Sequence, residues 1–180
     1  MNRLDRCTRM RTRTAAVSAL SGVVLLALSA QGPAAAGGAL PLCTRIPLAV
    51  RCRPLEVRAP RTTLRLAVAL TEAQRERGLM NVTFVPPDEG MLFAFPFAER
   101  HLEFWMKDTI TPLDMVFVKA DGTISDIAVD VPASTPKTPD DKVARRQGVG
   151  RFVIELGAGG AARAGLLPGM QLSIPPVAAK

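Results

Sequence analysis

Three apolar stretches with charges embedded in them decide the fold of this chain: Gly90–Phe95 (GMLFAF), Phe104–Thr109 (FWMKDT) and Pro112–Val118 (PLDMVFV). The span that they cover holds the only tryptophan and five of the seven phenylalanines of the 180-residue chain, with a lysine and two aspartates among them. Polar groups cost free energy in apolar surroundings unless they are paired. The span therefore forms either a buried ion-pair network or a pocket lined by polar groups.

Alternation of apolar and small or polar residues around this span predicts short strands rather than helices. In Leu64–Leu70, for example, every second residue is leucine or valine. Thr71 and Gln74 have the spacing of a capping box, so we expect a short helix that ends at Gly78. The other predicted strands are Met91–Phe95, Leu102–Met106, Leu113–Lys119, Thr123–Val129, Arg151–Leu156 and Met170–Ile174.

Turn signals separate these strands. Asp121-Gly122 predicts a hairpin, and the small residues from Gly157 to Ala164 predict a turn or helix closed by Gly165. Residues 130–148 are expected to be a long irregular loop of the kind that is often functional. The pattern predicts a mostly β fold, an antiparallel β-sandwich or barrel-like domain with one or two short helices.

The first 36 residues resemble a secretory signal peptide. Five arginines precede a charge-free stretch from Ala15 to Ala30, and Pro33–Ala36 offers a small-residue cleavage site. Loss of this segment removes five Arg and one Asp and lowers the formal net charge from +7 to +3. We therefore expect a periplasmic or secreted protein with no stable membrane span after cleavage, and no nucleic-acid partner, because no basic stripe or known module is present.

The cysteines fit an exported protein. Cys7 leaves with the signal peptide, and Cys43 and Cys52 remain as a pair expected to form a disulfide. Leu42 before Cys43 argues against lipid modification, and no further ligands lie close enough for a metal site. We divide the chain into a signal peptide (1–36), an N-terminal extension with the disulfide (37–63), a β-rich domain (64–175) and a tail (176–180).

The candidate site lies in the central span. Trp105 and Lys107 are two residues apart on a predicted strand and so point to one face. Pairing of Leu113–Val118 with Leu102–Met106 would bring Asp114 towards Lys107. The candidate ligand-binding residues are Trp105, Lys107, Asp108, Thr109, Asp114 and Glu155, and the candidate catalytic residues are Lys107 and Asp114.

Other constellations are weaker. Met80, Met91, Met106 and Met115 with His101 suggest a copper(I) site, but these methionines alternate with core residues and are better explained as core packing. A zinc hydrolase would need more than the one histidine. We expect no metal and no cofactor.

Five blocks occur in an order that resembles the domain-of-unknown-function family 192: Arg77–Met80, Gly90–Phe93, Phe104–Thr109, Pro112–Asp114 and Val153–Leu156. The resemblance covers residues 64–175 and implies a compact, mostly β, sandwich-type fold that is often exported, with no agreed activity. The chain departs from the family in three places: the family usually has Asn at Asp108, Arg at Asn81 or Val82, and an acidic residue at Met170.

Three functions remain open at this point. The first is a ligand-binding or accessory module for a small molecule or an envelope component. The second is an enzyme in which Lys107, with a lowered pKa, and a carboxylate perform acid–base chemistry on a small or saccharide substrate. The third is a structural interaction protein, which would have an exposed apolar patch and no pocket. In the structural alternative for the central span, Lys107 pairs with Asp108, Asp114 or Glu155 and fixes the fold.

Overall fold

The fold is built on one large sheet and one small one. The computed structural model describes residues 42–46 and 53–177, which belong to one unit of the chain, residues 39–180. The described elements in chain order are α1 (Leu42–Arg45), β1 (Leu55–Arg58), β2 (Thr63–Ala69), α2 (Glu72–Arg77), β3 (Glu89–Ala94), β4 (Arg100–Trp105), β5 (Leu113–Val118), β6 (Ile124–Val131), a 3₁₀ turn (Asp140–Lys142), β7 (Arg145–Gly150), β8 (Phe152–Gly157) and α3 (Gly160–Ala164).

The large sheet has six strands in the order β1-β2-β3-β8-β5-β6, and the small sheet pairs β4 with β7. All described neighbours are antiparallel except β2 and β3. Parallel neighbours need a crossover connection, and α2 lies in the segment that provides it. The sheets do not close on each other, so the predicted mostly β, sandwich-like fold is confirmed, with three short α-helices among the described residues.

Both faces of the six-stranded sheet are covered, which explains why β3, β5 and β8 are buried along their whole length. On the front face, which we define by Met91, Phe93, Met115, Phe117 and Val153, the sheet packs against β4 and α1. The rear face packs against α3 and the segment that follows it; its residues include Leu66, Leu92, Val116, Ile154 and Leu156. Alternate residues of one strand therefore enter two separate cores.

The predicted hairpin, the capping box and the glycine-terminated helix are all present. Gly122 has φ +91° in the β5–β6 turn, and Gly165 ends α3 with φ +76°. At the start of α2, the Gln74 amide donates to the Thr71 hydroxyl, and the Gln74 side chain accepts from the Thr71 amide. The sequence pattern therefore predicted these three local features correctly.

Thr71→Ala is expected to lower the free energy of unfolding by about 1 kcal/mol, because it removes the side-chain half of the capping box. Thr71→Ser retains the hydroxyl and should stay within a few tenths of a kcal/mol of the wild type. Urea unfolding of the three proteins measures the difference. Equal midpoints for the alanine and serine variants would show that the hydroxyl does not stabilise α2.

The segment expected to be one long loop is shorter than predicted, because β6 extends to Val131 and β7 begins at Arg145. The strand β7 was missed because its sequence, RRQGVG, lacks alternating hydrophobic residues. Gly148 explains why β7 lacks an apolar side chain at the position that faces the core. A Cβ at this position would overlap the ring of Phe117, so no side chain fits there.

Three further expectations differ from the structure. Residues 170–174 form an isolated bridge between Gln171 and Thr123 instead of a strand, since they cross only the end of the β5–β6 hairpin. The strand β1 lies in the segment assigned to the extension and pairs with β2, where Val57 is fully buried. Pairing of Leu113–Val118 with Leu102–Met106 is wrong, because β5 lies between β6 and β8 in the other sheet.

No helix formed by the described residues is long and apolar enough to cross a membrane. The predicted signal peptide and Cys52 lie outside the described residues, whereas Cys43 is buried in α1. The pairing of these two cysteines remains a prediction.

Candidate functional site

An open cleft of about 410 Å³ lies where α2, the end of β3, β4 and the turn after β4 meet on the front face of the large sheet. Aromatic rings form much of its wall: Phe93, Phe95, Phe97, Phe104 and Trp105. Charged side chains from α2 and β4 surround these rings, and Lys107, Thr109 and Glu155 also line the cleft. Four of the six predicted ligand-binding residues therefore share one cleft: Trp105, Lys107, Thr109 and Glu155.

The aromatic wall is a connected cluster. The Phe104 ring lies edge-on to Phe93 with the two centroids 5.0 Å apart, and it also contacts Phe95 at 6.2 Å. Phe95 in turn packs against Phe97 at 5.2 Å. The two contacts of Phe104 have the edge-to-face geometry that aromatic pairs favour. Phe104 points inward from β4, whereas the neighbouring Trp105 is 40 % exposed.

Three arginines already lie over rings of this wall. The guanidinium carbon of Arg75 is 5.1 Å from the Phe95 centroid, that of Arg100 is 3.8 Å from Phe97, and that of Arg145 is 5.0 Å from Trp105. Arg75 also donates to the backbone carbonyls of Leu70 and Ala94. These guanidinium groups therefore already occupy ring faces whose negative potential would otherwise attract a cationic ligand.

Glu155 is the most unusual group in the cleft. It lies on β8 between Met91 of β3 and Met115 of β5, in the middle of an apolar sheet face, and it is only 5 % exposed. Among the described residues its carboxyl group has neither a hydrogen-bond partner nor a basic partner. Desolvation by burial raises its pKa to about 8, so the carboxyl group is mostly protonated at neutral pH.

Lys107 lies two residues after the end of β4 and forms an ion pair with Asp140 of the 3₁₀ turn. This pairing, first through its hydrogen bond, raises the pKa of Lys107 above its ordinary value. The sequence hypothesis required a lowered pKa for Lys107 to act as a base, so that part of it is wrong. The partners considered from the sequence, Asp108, Asp114 and Glu155, are also not the one observed.

Asp114 lies away from the cleft because side chains alternate along β5. Its neighbour Met115 faces the front with Glu155, which places Asp114 on the rear side of the sheet. There, fully buried, its carboxylate accepts hydrogen bonds from the Asp130 and Ala161 amides, each 2.9 Å long. The predicted approach of Asp114 to Lys107, and with it a catalytic role for Asp114 in this cleft, is wrong.

A model of the domain-of-unknown-function family 192 (DUF192), described as "uncharacterized ACR", matches residues 55–174, two thirds of the chain. The chain belongs to this family. No curated protein matches it.

Two solved structures resemble the DUF192 domain of this chain. One is a proposed transcription regulator from Sinorhizobium meliloti 1021, with 32 % identity, a TM-score of 0.57, and coverage of 69 % of this chain and 97 % of that protein. The other is a protein of unknown function from Novosphingobium aromaticivorans DSM 12444, with 28 % identity, a TM-score of 0.52, and coverage of 67 % and 83 %.

The sequence blocks that resemble DUF192 meet at the cleft. Residues of four blocks contribute to its lining, although they lie in or just after α2, β3, β4 and β8: Arg77–Met80, Phe93, Phe104, Trp105, Lys107 and Glu155. Pro112–Asp114 instead leads into β5 and supplies the rear-face carboxylate. Most of the family pattern in this chain therefore surrounds one cavity.

Asp108 has a backbone role in the turn after β4. Its φ of +52° lies in the left-handed region, which Asn and Asp adopt more readily than most residues. The Asp108 carbonyl accepts from the Asn81 amide at 2.8 Å, and the next residue, Thr109, donates its hydroxyl to the Lys107 carbonyl at 3.1 Å. The usual family Asn would suit the same conformation, whereas the carboxylate of Asp108 has an oxygen, Oδ1, that is buried and has no hydrogen-bond partner among the described residues.

Sequence reasoning did not select Arg77, Arg100, Phe95 and Phe97 as site residues, although they line the cleft. Arg77 could have been selected from the sequence, because it begins Arg77–Met80, one of the blocks that resemble the family. The other three lie at or beyond strand ends, where no periodic pattern indicates the direction of a side chain.

A second cavity, of about 510 Å³, lies between the β5–β6 turn and residues 172–177. It contains none of the predicted site residues, and its charged lining residues are Asp121 and Arg151. Among the described residues no group of three or more His, Cys, Asp or Glu side chains is placed to hold a metal ion. We take the aromatic cleft as the candidate site because it contains the unpaired buried carboxyl group.

Proposed function

We propose that this DUF192 protein is an exported binding module for a small molecule and that the aromatic cleft is its binding site. The main support is Glu155, a buried carboxyl group without a partner among the described residues, in a cleft walled by aromatic side chains. Burying such a group without a hydrogen bond costs free energy. A ligand that satisfies it would recover part of that cost.

The size and composition of the cleft suit a small ligand. Its volume falls in the range of cavities that hold small molecules, and apolar walls with a few polar groups are typical of such sites. Trp105, Lys107, Thr109 and Glu155 would contact the ligand directly. Asp108 and Asp114 would support the site only through the fold.

Export is supported by the sequence. The basic N-terminal segment, the charge-free stretch and the small-residue cleavage site fit a signal peptide, and a Cys43–Cys52 disulfide would suit an oxidising compartment. We propose a periplasmic or secreted location and a small molecule or an envelope component as partner. The Sinorhizobium relative is described as a proposed transcription regulator, and the proposed exported location argues against that role for this chain.

One observation favours an enzyme as the second candidate. With a pKa of about 8, Glu155 is poised to exchange a proton near neutral pH, as general acids and bases do. In this version Glu155 replaces Lys107 as the acid–base group, since the Asp140 ion pair keeps Lys107 protonated. Turnover of a substrate with a pH profile that Glu155→Gln abolishes would support it.

We expect a set of small fragments, including anionic, neutral and cationic members, to bind in the cleft and shift the NMR signal of the single tryptophan, Trp105. Phe97→Ala removes a ring of the cleft wall and should weaken this binding severalfold, because much of the contact area is aromatic.

Phe84→Ala is the matched control, because Phe84 is 53 % exposed and lies outside the cleft lining. Its fragment affinities should equal those of the wild type. If no fragment of any charge shifts the Trp105 signal, or if the two variants weaken binding equally, the cleft is not the binding site.

A further inference from the structure

Three of the charged residues that line the cleft are already engaged in hydrogen bonds or ion pairs. Lys107 pairs with Asp140, and Arg75 donates to two backbone carbonyls. Glu103 accepts from Arg145 at 2.8 Å and from Gln147 at 2.7 Å. These groups hold the walls of the cleft together and have little capacity left for a ligand.

Arg77 differs from these three residues. Its Nε atom is buried and has no hydrogen-bond partner, and its guanidinium group forms no ion pair with any described residue. It is the last residue of α2 and lines the cleft. A guanidinium group offers five N–H donors in a planar fork that matches a carboxylate, so Arg77 has donor capacity left for an acceptor in the cleft.

Glu155 adds a second donor. In its protonated form the carboxyl group can donate one hydrogen bond, and it brings no negative charge that would repel an anion. The cleft therefore presents two unsatisfied groups, Arg77 and Glu155, that both act as donors at neutral pH.

The aromatic wall argues against a cationic ligand. Recognition of a cation by rings needs free ring faces, and Arg75, Arg100 and Arg145 already lie over Phe95, Phe97 and Trp105. Four basic residues line the cleft beside three glutamates other than Glu155: Arg75, Arg77, Arg100 and Lys107, with Glu72, Glu76 and Glu103. The rings remain available for packing against an apolar body through their edges.

We propose that the cleft binds a small carboxylic acid with an apolar body, whose carboxylate is held by Arg77 and Glu155. This assignment rests on the proposed binding function and adds the chemical class of the ligand. Two donors on one carboxylate would fix the head group, and the rings of Phe104 and Trp105 would contact the body.

Three probes with the same ring and different head groups test the assignment: phenylacetate, phenylacetamide and benzylamine. At neutral pH we expect phenylacetate to bind at least about tenfold more tightly than the other two, because only it supplies an anionic acceptor for Arg77. Binding is followed by the NMR signal of Trp105. If the amide or the amine binds as tightly as the acid, the carboxylate assignment is wrong and the binding function stands.

Arg77→Gln and Arg58→Gln form the matched pair of variants, since Arg58 is exposed on β1 and lies outside the cleft lining. Arg77→Gln should abolish the preference for phenylacetate over phenylacetamide while leaving amide binding unchanged, which also shows that the variant is folded. Arg58→Gln should keep the preference. Unchanged discrimination in Arg77→Gln would overturn the assignment.

The carboxylate assignment can be wrong while the proposed binding function is correct. If none of the three probes binds, the assignment is overturned. The broader fragment set then tests whether the cleft binds small molecules at all. If other fragments bind, the proposed binding function stands. If no fragment of the set binds, both the binding function and the carboxylate assignment are wrong.

Discussion

Glu155→Gln is expected to stabilise the protein at pH 8 by several kcal/mol and to leave it nearly unchanged at pH 4. Burial raises the pKa of Glu155 from 4.5 to about 8 in the folded protein. Between these two values the folded state holds a proton that the unfolded state has released, so the stability of the wild type falls as the pH rises. The shift corresponds to about 5 kcal/mol at most.

Glutamine has the same shape and no charge to desolvate, so it removes this pH-dependent loss. Urea unfolding at a series of pH values should show a decrease in wild-type stability from about pH 4.5 to about pH 8 that the variant lacks. Glu56→Gln, on the exposed side of β1, is the control and should follow the wild-type curve. Parallel pH curves for wild type and Glu155→Gln would show that Glu155 ionises normally in the folded protein.

The fold class could be predicted because its signals are local. Alternation in Leu64–Leu70, the Thr71–Gln74 capping box and the Asp121-Gly122 turn each depend on neighbouring residues, and all three are found in the structure. Strand pairing depends on distant residues instead. The hairpin-like proximity of Leu102–Met106 and Leu113–Val118 in sequence suggested a pair, but the two segments lie in different sheets.

The candidate site was predictable only in part for the same reason. Trp105, Lys107 and Thr109 are close in sequence, so they reach the cleft together. Asp114 was misplaced by the wrong strand pair, because the position of β5 in the sheet decides which neighbour its carboxylate meets. Arg77 and Asp140 reach the site through tertiary contacts that no periodicity encodes.

Asp114→Ala is expected to lower the free energy of unfolding by about 2 to 4 kcal/mol, since it leaves the buried Ala161 amide and the partly buried Asp130 amide without an acceptor. One of them, Ala161, lies in the first turn of α3, where the N-cap residue is Gly159 and no side chain of the helix caps it. The other, Asp130, has a φ of +47° next to an irregularity in the β5–β6 pairing. The Asp114 carboxylate thus holds a helix start and a strained strand position at once.

Asp126→Ala, on the exposed side of β6, is the matched control and should change stability by less than about 0.5 kcal/mol. Asp114→Asn keeps one acceptor oxygen, so its free energy of unfolding should lie between those of Asp114→Ala and Asp126→Ala. Urea unfolding gives the stabilities, and the Trp105 signal gives fragment affinities for the fraction that stays folded. Because Asp114 faces away from Glu155, these affinities should match those of the wild type. Loss of fragment binding without loss of stability would instead restore Asp114 to the binding site, and the rear-face carboxylate would then need a second role.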